Sequence, residues 1–140
     1  MNYLLDTCVI SELIKPRPDK KVIRWIDGVD ERKLFLSVLT LGELEKGIAR
    51  LPESARKEDL RRWLEQDLAA RFAGRIIPID AAVAAAWGRM QGAAELVGVR
   101  LPVIDALMAA SAQVCRMSVV TRNVADLERC GTTVINPWAG

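Results

Sequence analysis

Several acidic residues in this chain come straight after short apolar runs. Asp6 ends Tyr3-Leu4-Leu5, and Glu43 falls shortly after Leu34-Phe35-Leu36-Ser37-Val38. Asp105 follows Leu101-Pro102-Val103-Ile104, while Asn123 and Asp126 follow Ser118-Val119-Val120-Thr121. Carboxylates gathered in a partly buried place repel one another unless some are protonated or a cation lies between them. The chain has no histidine. That excludes Ser-His-Asp and Cys-His catalysis, histidine-based RNA cleavage and imidazole-ligated zinc. A metal held here would be bound by carboxylates, amides, hydroxyls and water, a donor set that favours Mg²⁺ or Mn²⁺. Such an ion binds a phosphate, makes a bound water more acidic and stabilises charge on attacking and leaving oxygens. The chemistry suggested is phosphodiester hydrolysis.

Each acid also has a local explanation. Asp6 suits the N-cap of the helix implied by Val9, Ile10, Leu13 and Ile14. Thr40-Leu41-Gly42-Glu43 fits a capping box, with the helix starting at Thr40. Asp80 and Asp105 suit positive helix N-termini, and Asn123 or Asp126 suits a turn. Taken singly, the local readings are the better ones. The balance shifts once the elements are placed, because a parallel sheet brings its strand ends to one edge, where ligands bind in open α/β sheets.

Strands are expected at Tyr3–Leu5, Leu34–Val38, Arg75–Ile79, Ser118–Thr121 and Thr132–Ile135. Helical patterns alternate with them. A helix capped by Asp19 carries Val22, Ile23, Trp25 and Ile26. A charged helix between Glu53 and Phe72 has Leu60, Trp63, Leu64 and Leu68 as its stripe, with Arg56, Lys57, Arg61 and Arg62 outward. An alanine-rich helix after Asp80 turns Val83, Trp87, Met90 and Val97 inward, and another runs from Ala106 to Cys115. Alternating strands and helices predict an α/β class with a mostly parallel sheet.

At 140 residues, with 51% hydrophobic content, the chain is expected to form one domain over residues 1–140. No apolar run suits a bilayer and no signal-like stretch opens the sequence, so a cytoplasmic protein without membrane attachment is expected. Cys8, Cys115 and Cys130 form no C-x-x-C pair and read as small buried hydrophobes. The net charge of +2 does not announce a nucleic-acid partner.

Leu4-Leu5-Asp6-Thr7-Cys8-Val9-Ile10-Ser11-Glu12-Leu13 resembles the opening motif of PIN-domain ribonucleases of the VapC toxin type. Ser37-Val38-Leu39-Thr40-Leu41-Gly42-Glu43-Leu44-Glu45-Lys46-Gly47-Ile48 is similar to their second motif. Pro102-Val103-Ile104-Asp105-Ala106-Leu107-Met108-Ala109-Ala110 resembles the third, Val120-Thr121-Arg122-Asn123-Val124-Ala125-Asp126 the fourth, and Asn136-Pro137-Trp138 the usual ending. The blocks occur in order and cover nearly the whole chain. The resemblance implies a three-layer PIN-like fold with about five short strands. It implies a Mg²⁺-dependent endoribonuclease, with Mn²⁺ as a substitute, that is the toxin of a type II toxin–antitoxin pair. The partners implied are RNA and a cognate antitoxin, with a homodimer inside the larger complex. By position, Asp6 and Asp105 match the principal metal-binding acids and Glu43 the third acid. Many members carry an acid where this chain has Asn123, so the resemblance leaves the fourth place to Asn123 or Asp126. Thr7, Ser11 and Thr121 are hydroxyl supports in this reading, although core packing explains them too. Alternative roles are a housekeeping RNA-processing nuclease or a binding module without catalysis.

Overall fold

The apolar run at the start of the chain forms β1 (Asn2–Leu5), in which Leu4 and Leu5 have no exposed surface. Burial on both faces is the mark of a central parallel strand covered by helices on both sides. A computed structural model describes residues 1–139. After β1 come α1 (Thr7–Leu13), α2 (Lys20–Asp27), β2 (Leu34–Ser37), α3 (Val38–Ala49) and α4 (Ala55–Arg62). A π-helical turn, Trp63–Leu68, joins α4 to α5 (Ala69–Arg71). β3 (Ile76–Ile77), α6 (Ala81–Leu96), α7 (Val103–Cys115), β4 (Met117–Val120), α8 (Val124–Arg129) and β5 (Val134–Ile135) complete the order.

The five strands form one sheet in the order β3-β2-β1-β4-β5, with every pairing parallel. Tyr3 pairs with Leu34 on one side of β1 and with Ser118 on the other. The expected α/β class and mostly parallel sheet are found. The chain winds outward from β1 to β2 and β3, then returns to the other side of β1 for β4 and β5. The point of reversal lies between β1 and β4, the place where ligands bind in such sheets.

One apolar core, between the sheet and α1 to α4, contains Leu5, Ile10, Val22, Leu36, Leu64 and Phe72. A second, beneath α7, contains Leu4, Met108, Val119 and Leu127. Asp19 caps α2 by accepting from the Lys21 amide, and Asp80 caps α6 by accepting from the Val83 amide. Both caps match the sequence expectation.

Several local expectations are corrected. The third strand is only Ile76–Ile77, since Pro78 has no N–H to continue a ladder. The second helix of the βα pair starts at Val38, not Thr40, with the Ser37 hydroxyl accepting from the Leu39 amide. Val97 is not inward: it lies just past α6 and is 74% exposed. Cys8 and Cys115 are half-buried, and only Cys130 is fully buried. The outward cations of α4 are largely used within the chain, where Lys57 pairs with Glu53, Arg61 with Glu45 and Arg62 with Asp59. Among the described residues no helix is long and apolar enough to cross a membrane.

Candidate active site

The carboxyl ends of β1 and β4 carry two of the groups singled out from the sequence. Asp6 follows β1 directly, and its amide donates to the Val120 carbonyl at 2.9 Å, so the β1–β4 ladder fixes its backbone. Its side chain serves two purposes. Oδ1 accepts from the Thr7 amide at 2.8 Å and caps α1, while Oδ2 accepts from the Thr121 hydroxyl at 2.8 Å. The cap and the site therefore coexist on one carboxylate. Thr121 Oγ1 also accepts from the Asn123 amide at 2.9 Å, which ties the loop after β4 to Asp6.

Glu43 stands in the second turn of α3 rather than in its first, because that helix begins earlier than expected. The capping box does not form. Glu43 Oε1 instead accepts from the Thr7 hydroxyl at 2.6 Å, across from α1. Thr7 Oγ1 also lies 3.4 Å from Thr40 Oγ1, itself fully buried. Thr7 and Thr121 thus each orient one acid, whereas among the described residues the Ser11 side chain makes no hydrogen bond.

Asp105 is the third residue of α7, and the N-cap residue Pro102 offers no side-chain acceptor. Asn123 Nδ2 donates to Asp105 Oδ2 at 3.3 Å. Burial pushes the Asp105 carboxyl above the ordinary carboxylate range. The negative charges of Asp6, Asp126 and Glu43 push in the same direction, against the Asn123 hydrogen bond. Asp126 belongs to this group by its charge, yet Arg129 pairs with it at 2.9 Å. Among the described residues, Asp6, Glu43 and Asp105 form no ion pair. So Asp6, Glu43, Asp105, Asn123 and Asp126 are neighbours around one sheet edge.

Two other residues of this edge escaped the sequence reading. Cys8 Sγ is 3.5 Å from Thr121 Oγ1 and accepts from the Arg122 amide at 3.5 Å, so it is not simply a packed hydrophobe. Burial raises its thiol pKa, which keeps it protonated and inert. Glu12 is only 4% exposed and accepts from the Asp19 amide at 2.9 Å and from Lys15 at 3.0 Å. Those contacts, the amide first, hold its carboxyl below the ordinary range. Arg122 comes within 3.8 Å of Glu12 and lies over the Trp138 ring at 4.3 Å. The Trp138 indole is close enough to add slightly to the lowering of Glu12, but among the described residues its N–H makes no well-formed hydrogen bond. The only sequence hint of this hub was an acid on the inward side of a helix just before a proline break.

The donor set suits a hard divalent cation: it consists of oxygens, several anionic and unpaired. Among the described residues, no three His, Cys, Asp or Glu side chains converge as a preformed cage. Of the site acids, Glu43 lines two grooves. A cavity of about 520 Å³ against α6, bounded by Met90, Leu101 and Arg129, contains none of them.

Comparison with known proteins matches the PIN-domain family over residues 3–129. The chain belongs to the PIN-domain family. This PIN-domain chain is 36% identical over 135 residues to Toxin FitB of Neisseria gonorrhoeae, covering 96% of this chain and 97% of that protein. It is 35% identical to VapC ribonuclease Y4jK of Sinorhizobium fredii, covering 96% of each. It is also 37% identical to plasmid stability protein StbB of Pseudomonas syringae pv. tomato, covering 96% of this chain and 97% of the relative. Among solved structures, FitAcB from Neisseria gonorrhoeae superposes with a TM-score of 0.91 at 36% identity, covering 97% of this chain and 98% of that one. FitAB bound to an IR36 DNA fragment gives 0.90 at 35% identity, with 97% and 95% covered.

Proposed function

We propose that this chain is a metal-dependent endoribonuclease and the toxin of a type II toxin–antitoxin pair, working in the cytoplasm as a single PIN domain over residues 1–140. The observation that carries the proposal is the set of unneutralised acids, Asp6, Glu43 and Asp105, at the β1/β4 edge. The likeness over nearly the full chain to a toxin and to a VapC ribonuclease supports it.

Asp6 and Asp105 would hold Mg²⁺, or Mn²⁺ in its place, with Glu43 and Asn123 completing the set directly or through water. When bound, that ion supplies positive charge for a scissile phosphate and makes a water more acidic. The chain's own groups do the orienting. Thr121 fixes the Asp6 carboxylate and Thr7 fixes Glu43. The Thr7 bond uses Glu43 Oε1, which leaves Oε2 to take a proton from an attacking water. Asn123, as placed, steadies Asp105 by donation, and Asp126 adds negative charge tempered by Arg129.

Such a site is hazardous to its own cell unless it is covered. An arginine from an antitoxin is suited to the acids, since its guanidinium pairs bidentately with carboxylates. A small apolar groove between α1, α3 and α4, bounded by Ile14, Leu51, Leu60 and Trp63, begins beside Glu43 and suits an apolar anchor of that partner. The toxin would act as a homodimer within the larger complex.

Expression of this chain alone is expected to arrest growth, and co-expression of the adjacent antitoxin frame to relieve it. Asp6→Asn or Asp105→Asn should remove both growth arrest and Mg²⁺-dependent RNA cleavage in vitro while the fold is kept. Intact RNA and normal growth with the unsubstituted chain at high level would overturn the proposal.

A further inference from the structure

A second groove, of about 550 Å³, lies on the other flank of Glu43, between α3 and the start of α7. Its α3 wall presents Glu43, Lys46, Gly47 and Arg50, spaced so that all four share one helix face. The acid at one end belongs to the site described above. Lys46 and Arg50 are exposed and, among the described residues, form no ion pair. On the neighbouring α4, by contrast, Lys57, Arg61 and Arg62 are all paired. Favourable placement near a helix C-terminus accounts for the presence of two cations. It does not account for the groove between them and the acids.

Two glycines make the case stronger. Gly42 and Gly47 both line this groove from within α3. Glycine inside a helix weakens it relative to alanine, so it normally answers a packing need. Here there is none, because a Cβ added at either position would meet nothing within 4 Å. The space kept clear is the groove itself. Val38 and Ile104, exposed large aliphatic residues, also border it.

We propose that this groove is the binding track for single-stranded RNA, with Lys46 and Arg50 receiving backbone phosphates and Gly42 and Gly47 letting the strand lie close to α3. The proposal rests on the nuclease reading. Lys46 and Arg50 are four residues apart, a step of about 6 Å along the helix axis. That step is comparable to the advance from one phosphate to the next in an extended strand. A polyanion held there has its next phosphates led toward Glu43 and the other acids, which only a cation-bridged phosphate approaches favourably. An acidic peptide would be drawn to the same cations but repelled at the Glu43 end. RNA is therefore the better match.

The test uses the whole chain carrying Asp6→Asn, so that RNA is bound without being cut, with a fluorescent single-stranded RNA oligonucleotide in Mg²⁺ across a salt series. Removing one phosphate contact from a single strand lowers the slope of log affinity against log salt by about 0.7. Lys46→Ala and Arg50→Ala should each lower it by that amount and weaken binding several-fold. Arg89→Ala on α6 should change neither. Gly47→Ala should raise the Tm by about 3 °C, as an alanine does in an exposed helix, yet weaken RNA binding. Gly42→Ala should do the same. Mn²⁺ affinity of the chain with Asp6 intact should be unaffected by all four groove substitutions. Unchanged RNA affinity and salt slope in the groove variants, while the unsubstituted chain still cleaves RNA, would overturn this proposal alone. Loss of antitoxin affinity with RNA binding intact would also overturn it and give the groove to the protein partner. An unsubstituted chain that cleaves no RNA would defeat the nuclease reading first.

Discussion

Replacing Thr121 by valine isolates one hydroxyl. The residue has no exposed surface, and valine keeps nearly its shape, so packing is preserved. What disappears is the donor to Asp6 Oδ2 at 2.8 Å, the acceptor for the Asn123 amide at 2.9 Å and the weak contact with Cys8 Sγ at 3.5 Å. A hydrogen bond to a charged partner contributes about 1.5–3 kcal/mol. Asn123 is exposed, so its freed N–H can turn to water and adds little. The expected loss is therefore about 2–3 kcal/mol, or about 6–9 °C in Tm for a chain of this size. Thr121→Ser keeps the hydroxyl and loses one buried methyl, at a cost of about 1 kcal/mol. Functionally the order should widen, because Asp6 in the valine variant can rotate away from its bonded position. Groups that orient metal ligands typically affect affinity by about 10–100-fold. Mn²⁺ titration calorimetry should thus separate valine from serine by at least the lower figure, and urea denaturation should rank them the same way. If valine binds Mn²⁺ as tightly as serine does, Thr121 does not position Asp6 and the assignment fails.

Asp105→Asn should stabilise the protein when no divalent ion is present. The folded-state pKa of Asp105 is raised above 3.8, so its ionised form costs stability above the raised value. That cost fades as pH falls toward 3.8, and the advantage of the asparagine in thermal melts should fade with it; an advantage that grows on acidification would contradict the cause given. Saturating Mg²⁺ should reverse the order, since only the acid gains from binding. Glu12→Gln should cost about 1–2 kcal/mol, discounted because Lys15 and Arg122 are more than half exposed. The Glu12 pKa is lowered, so this deficit should be full above pH 4.5 and vanish as pH falls through the lower folded value; a pH-independent deficit in urea denaturation would argue for packing instead. If Asp126 supplies charge to the site, Asp126→Asn should reduce RNA cleavage more than Asn123→Ala does, and the reverse order would assign the work to the amide.

The sequence made the strands and their trailing acids readable because both signals are local. An apolar run followed by an acid and then a 3.6-residue pattern needs no tertiary knowledge. Asp6, Asp80 and Asp105 were singled out this way, and Asp19 from the Lys15-Pro16-Arg17-Pro18 break before its helix. Glu43 was singled out on a local reading that fails, since it stands in the second turn of α3 and not in the first. Thr40-Leu41-Gly42-Glu43 has the form of a capping box, yet Ser37 wins the cap and Thr7, 36 residues earlier, takes Glu43. No window of sequence holds that contact. Glu12 was hidden in part for the same reason: Lys15 and the Asp19 amide lie close in sequence, but the guanidinium of Arg122 comes from the far loop. Val97 was misjudged because the helical period was carried past the end of α6, where the chain turns out to solvent.

The strand order has a consequence for how the protein is made. β1 is central, and its two neighbours arrive at very different times: β2 from Leu34, β4 only from Met117. The Asp6 carboxylate waits for a Thr121 hydroxyl 115 residues downstream. At a ribosomal pace of about 5–20 residues per second, that delay is roughly 6–23 s. During it one edge of an apolar strand stands unpaired, open to chaperones or to wrong partners. Until β4 is made, the nascent chain holds Asp6 without the hydroxyl that orients it.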